Sequence, residues 1–105
     1  FEIRNDFPNS KVGFVITHDP FTYDAEGDFE SYYERIKEVC DKWDVSYLDL
    51  YAKNNSDTGV NVRDDDMRKL YFGTESKPDG DGTHPNELGY QAIYVEPMIP
   101  WLKSL

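Results

Sequence analysis

Cysteine is nearly absent. Cys40 alone stands among 105 residues, so no disulfide can form within the chain. Its place at an apolar position of an expected helix makes it a buried thiol rather than a nucleophile, and it says little about compartment. Long hydrophobic runs are missing too. Nothing approaches the ~20 apolar residues that cross a bilayer, and the N-terminus has neither a basic patch nor an apolar signal core. Basic residues are few, eleven against twenty-one acidic, and the formal charge of −10 opposes both phosphate backbones and anionic membrane surfaces. Nucleic acid and membrane are therefore not expected partners. Core material is also short: Ala, Val, Ile, Leu, Met, Phe, Trp, Cys and Gly make up 39 of the 105 residues, below the ~45–50% of an ordinary globular domain. There is no internal repeat and no low-complexity tract, and the length allows one small domain.

Aromatic residues partly offset the deficit. Eight Tyr, six Phe and two Trp each cover a large area, and Tyr and Trp keep a polar tip. Core packing and ordinary surface account for them more simply than a sugar-stacking face does.

Periodicity divides the chain. Over 11–17, Val12, Phe14 and Ile16 alternate with Val15 as a buried strand. Residues 19–27, rich in Asp with Pro and Gly, read as a loop. From Asp28, a plausible N-cap, Phe29, Tyr32 or Tyr33, Ile36, Cys40 and Trp43 recur at helical spacing while Glu30, Glu34, Lys37, Glu38 and Lys42 face elsewhere. A second buried strand is expected over 45–51, completing a right-handed strand-helix-strand crossover of a parallel sheet. A loop over 53–62 and a short helix over 64–72 follow. The last segment, 85–105, is expected to be a helix, broken or kinked near Glu96 to Pro100 because Pro97 and Pro100 remove backbone donors. The fold class is α/β.

The segment that carries chemistry is Asp79-Gly80-Asp81-Gly82-Thr83-His84-Pro85-Asn86-Glu87-Leu88-Gly89-Tyr90. Across a four-residue turn the outer Cα atoms lie within about 7 Å, so the Asp81 carboxylate can take the proton on Nδ1 of His84 and leave Nε2 facing outward. That fixes the tautomer and stabilises the imidazolium formed when His accepts a proton, the requirement of a general base for an alcohol nucleophile. Gly80 and Gly82 permit the bend, and Pro85 keeps the following helix from running back through His84.

The string Asp-x-x-His-Pro-Asn-x-x-Gly-Tyr with its following helix resembles the last sequence block of the SGNH/GDSL hydrolases, whose catalytic Asp and His match Asp81 and His84. The preceding order also resembles that family from its middle onward, through a helix such as Tyr33-Glu34-Arg35-Ile36-Lys37-Glu38-Val39-Cys40 and a strand such as Val45-Ser46-Tyr47-Leu48-Asp49-Leu50. The resemblance implies that residues 1–105 form a single partial domain, the C-terminal part of a flavodoxin-like sheet. It implies hydrolysis of an ester, acetyl or short acyl, on a carbohydrate or lipid, with no metal or other cofactor. The family's nucleophilic Ser sits in a Gly-Asp-Ser block near the N-terminus, and its oxyanion hole uses a Gly and an Asn from two further blocks. None is present here. Ser10, Ser31, Ser46, Ser56, Ser76 and Ser104 lack that context, and there is no Gly-x-Ser-x-Gly elbow. The chain also begins at Phe1 rather than Met, so it is expected to be a piece whose nucleophile comes from an N-terminal half, with that half or a second copy as the partner that covers its open faces. Alone it is expected to be inactive, with one edge of its first strand and the apolar faces of its helices uncovered.

The same residues admit other readings. Asp81 could simply cap the next helix, with His84 an incidental neighbour. A calcium loop beginning at Asp79 fails, because His84 stands where Gly is needed and Tyr90 where Glu is needed. His18 is expected to be a loop residue bonded to Asp19 or solvent more than a substrate contact. Asp64, Asp65 and Asp66 suit a dipole-matched helix start rather than a cation site. A non-catalytic carbohydrate-binding or structural module is the alternative function. A receiver-like domain lacks the acidic or phosphate-binding loop it needs.

Overall fold

The computed structural model describes residues 5–20, 29–54 and 59–105. The expected loop from residue 21 onward, the cap at Asp28 and part of the 53–62 loop lie outside the described residues. Helices and one parallel sheet make up a mixed α/β arrangement. β1 (Gly13–Ile16) pairs with β2 (Ser46–Asp49), Gly13 opposite Ser46 and Ile16 opposite Asp49. α1 (Phe29–Lys42) joins them. It ends where Asp44 turns into the left-handed region (φ 53°) and the Val45 amide reaches back 2.8 Å to the Cys40 carbonyl. With the Asp44 amide donating to the Asp41 carbonyl at 3.3 Å, this two-bond stop satisfies carbonyls that the last helical turn leaves free.

The second strand is shorter than its apolar run. At Leu50 the chain turns directly into α2 (Leu50–Asn54), whose start is held by the Asp49 carboxylate accepting from the Ala52 amide at 2.9 Å. A side chain that caps its own downstream amides competes with continued strand pairing. Lys37 ties α1 to the same place, 2.5 Å from Asp49 and 3.0 Å from Glu34, and the bond to Asp49 pushes its ammonium up to about 12.

α3 (Asp65–Phe72) begins as its three acids suggest. Asp64 accepts from the Met67 amide at 2.9 Å, and Asp65 pairs with Arg68. The final helical run differs from expectation. α4 (Glu87–Tyr90) passes into a widened π turn (Gln91–Val95) and then α5 (Glu96–Ser104), which continues through Pro100 without a break. The irregularity lies upstream of the prolines. The Glu96 amide bonds Gln91 five residues back, and Pro97 then falls in the first turn of α5, where its missing donor costs no helical bond.

Leu48, Leu50, Val60, Val62, Phe72 and Ile93 form the core, with Trp101, Met98 and Tyr94 from the last helices packed against it. Trp101 lies over Gly13, where a Cβ would meet its ring at 2.6 Å, and its indole donates to Ser46 at 3.1 Å. Cys40 is buried, and that burial pushes its thiol up. Phe14 on β1 and Leu88, Val95, Ile99 and Leu102 along the last helices remain exposed. No helix among the described residues is long and apolar enough to cross a membrane.

Among the described residues one charged side chain is fully buried. Asp19, just past β1, has no exposed surface and accepts a two-pronged contact from Arg63, 2.7 Å and 3.1 Å. The Arg63 side chain is 43% exposed. Arg63→Met is expected to cost about 2 kcal/mol, less than the ~3–5 kcal/mol of a fully buried pair, because water can reach the partner's side. Urea unfolding of the two forms measures it.

Candidate functional site

The Asp81–His84 turn is built from both ends. On its upstream side Gly80 and Gly82 take φ of +75° and +73°, conformations that disfavour any side chain. Gly80 also lies flat on Phe72, whose Cβ would be 2.7 Å from an added methyl group. Downstream, Asn86 anchors the start of α4 to the end of α3. Its Oδ1 accepts from the Gly89 amide at 2.9 Å, its Nδ2 donates to the carbonyls of Leu70 (2.9 Å) and Gly73 (2.8 Å), and its own amide donates to Tyr71 at 2.8 Å. One side chain thus caps two helix ends of opposite polarity. Pro85 is buried just before this cap, and the helix expected from residue 85 begins two residues later, at Glu87.

Asp81 uses its two oxygens differently. Oδ1 accepts from the amides of Thr83 and His84, both at 2.8 Å, closing the turn. Oδ2 faces Nδ1 of His84 at 2.6 Å. Partial burial pushes the Asp81 carboxyl up, but the His84 amide, the His84 ring and the Thr83 amide outweigh it and hold the group at about 2. The carboxylate is therefore ionised at neutral pH and able to fix Nδ1 as the protonated nitrogen. The His84 side chain is 74% exposed, so Nε2 faces outward. Asp81 does not cap the next helix, because Asn86 does.

His18 is part of this site, and not in the way its position suggested. Its partners are neither Asp19 nor solvent: Nε2 lies 2.7 Å from the Thr83 carbonyl and Nδ1 2.5 Å from the Tyr94 hydroxyl. Burial lowers its pKa, which keeps the ring neutral. Burial likewise raises that of Tyr94. Neither partner was legible beforehand, since Tyr94 and Thr83 lie 76 and 65 residues away. The Thr83 hydroxyl is buried with no hydrogen-bond partner. Removing an unpaired buried hydroxyl is favourable, so Thr83→Val is expected to gain about 1 kcal/mol, read as a raised thermal midpoint.

A cleft of about 340 Å³ opens where β2 ends, lined by Glu30, Tyr33, Glu34, Lys37, Asp49, Tyr51, Ala52 and Arg63. Tyr33 and Tyr51 meet with ring centres 4.9 Å apart, and Tyr33 also bonds Thr17 just past β1. Such crevices at the carboxyl ends of parallel strands are where open α/β sheets bind ligands. No family model, curated protein or solved structure matches this chain.

Proposed function

We propose that Asp81 and His84 are the acid-base arm of a serine-dependent ester hydrolase of the SGNH/GDSL kind, built on the C-terminal part of a flavodoxin-like sheet. One observation carries it: the 2.6 Å bond from His84 Nδ1 to Asp81 Oδ2, on a ring whose other nitrogen faces solvent. With Nδ1 protonated, Nε2 holds the lone pair that can take a proton from a seryl hydroxyl as its oxygen attacks the ester carbonyl. Asp81 offsets the imidazolium charge so formed. Nε2 then returns the proton to the departing alcohol. In the second half the same nitrogen takes a proton from water, and the acyl-enzyme is hydrolysed. The serine and its oxyanion donors belong to an N-terminal half of the same protein, set against the edge of β1 that pairs with no strand among the described residues. Without them this chain alone lacks the nucleophile and most of the transition-state stabilisation, and is inactive.

The tyrosine-and-carboxylate cleft beyond β2 favours an acylated carbohydrate as substrate, with an acyl group as small as acetyl. The same cleft supports a second reading, a carbohydrate-binding module in which the Asp81–His84 turn is architecture only. Turnover of p-nitrophenyl acetate by the complete protein, with and without His84→Ala, separates the two. The hydrolase reading expects turnover that vanishes with the imidazole; turnover indifferent to the substitution would remove His84 from the mechanism.

A further inference from the structure

We propose that His18 is a positioning residue for the Asp81–His84 pair, tying the turn that carries both to the end of β1. The inference rests on the acid-base reading of that pair. It starts from a single peptide unit. The Thr83 carbonyl and the His84 amide belong to the same plane. The carbonyl accepts from His18 Nε2 at 2.7 Å while the amide donates to Asp81 Oδ1 at 2.8 Å. Holding a peptide plane at both ends fixes the rotation about the bonds that flank it, and with it the direction in which the His84 side chain leaves the backbone. A donor on the carbonyl also polarises the peptide and strengthens its amide as a donor to Asp81.

The clamp works in one tautomer of His18, and the surroundings select it. Nε2 must carry the proton, because a carbonyl can only accept. Nδ1 then holds the lone pair and accepts a hydrogen bond from the Tyr94 hydroxyl, 2.5 Å away. Ring packing fixes the orientation: Phe72 lies 5.7 Å from the imidazole at 52°, and Tyr94 5.6 Å away, edge-on at 86°. Phe72 is 1% exposed, so the clamp is seated on the core. His18 reaches the pair through the Thr83–His84 peptide, whose carbonyl it holds.

Three variants of the complete protein test this. His18→Phe keeps the ring volume and removes both bonds. His18→Gln can still donate to Thr83 and accept from Tyr94. Tyr94→Phe keeps the packing and releases the tautomer. His18→Phe is expected to lower kcat on p-nitrophenyl acetate about tenfold to a hundredfold, the size of a small misplacement of a catalytic group, with KM little changed. His18→Gln recovers most of that loss, and Tyr94→Phe loses less than His18→Phe. The His84 Nδ1 proton is expected to give a far-downfield NMR resonance in the parent, to broaden in His18→Phe and to persist in His18→Gln. If His84→Ala abolishes turnover while His18→Phe keeps both kcat and that resonance, the positioning role is overturned and the acid-base reading stands. If turnover ignores His84, the acid-base reading falls, and the resonance alone decides whether His18 holds the pair. Should His18→Phe fail to fold, Tyr94→Phe decides on the same two readouts, and no change in either overturns the role.

Discussion

Asp81→Asn is expected to leave the protein folded and to abolish nearly all turnover, a loss on the order of 10⁴-fold, as when the orienting carboxylate of a Ser-His-Asp triad becomes an amide. The two halves of that expectation come from the two oxygens. An Asn side-chain oxygen can still accept from the Thr83 and His84 amides, so the turn persists. In place of Oδ2 it offers an NH₂ group, which cannot accept from Nδ1. His84 then moves its proton to Nε2, the nitrogen that must be bare to act as base. Circular dichroism and the p-nitrophenyl acetate assay on the complete protein read the two halves separately. A folded Asp81→Asn form with parental activity would contradict the assigned roles.

The same substitution has a signature in acid. The Asp81 carboxyl is held at about 2, below its ordinary 3.8. A group depressed in the folded state contributes stability that is fully present above its unfolded value and is lost as pH falls toward the folded one. The parent should therefore lose stability between about pH 4 and pH 2 in excess of Asp81→Asn, whose side chain does not titrate. Urea unfolding at pH 5, 3 and 2.5 measures the difference.

Gly89→Ala should be strongly destabilising, costing about 3 kcal/mol net. In an exposed helix the same change gains about 1 kcal/mol. Here the new Cβ would stand 2.1 Å from the Tyr71 carbonyl oxygen and 2.9 Å from the Pro85 ring. A backbone oxygen at that distance cannot yield as a flexible side chain does, so α4 must back away from α3. Retreat stretches the bonds from Asn86 to Tyr71, Leu70 and Gly73, each worth about 1 kcal/mol. It also moves the segment that begins two residues after His84, so activity should fall with stability. Leu88→Ala, at a neighbouring and half-exposed position, should change stability by only about 0.5 kcal/mol. Comparing the two thermal midpoints isolates the close approach from helix propensity.

Local interactions were read from the sequence correctly because they span a few residues. The Asp81–His84 bond, the bend at Gly80 and Gly82 and the acidic start of α3 each close within a turn of chain. The amphipathic stripe of α1 and the two parallel strands follow from apolar period alone. The boundaries that failed were those where a side chain competes with the backbone. Asp49 ends β2 early by capping α2, and the irregular turn falls at 91–95, so that Pro97 sits in the first turn of α5 while Pro100 is carried inside that helix.

The chemistry of the turn is written in its residues: a carboxylate and an imidazole three positions apart, with glycines where the bend takes positive φ. Tertiary structure alone decided what holds that turn in place. Asn86 joins two helix ends, Arg63 meets a buried Asp19 from 44 residues away, and His18 reaches Thr83 across 65. No period or spacing encodes such contacts, because their geometry exists only after the core formed by Leu48, Leu50, Phe72 and Ile93 has brought the strands and the last helices together.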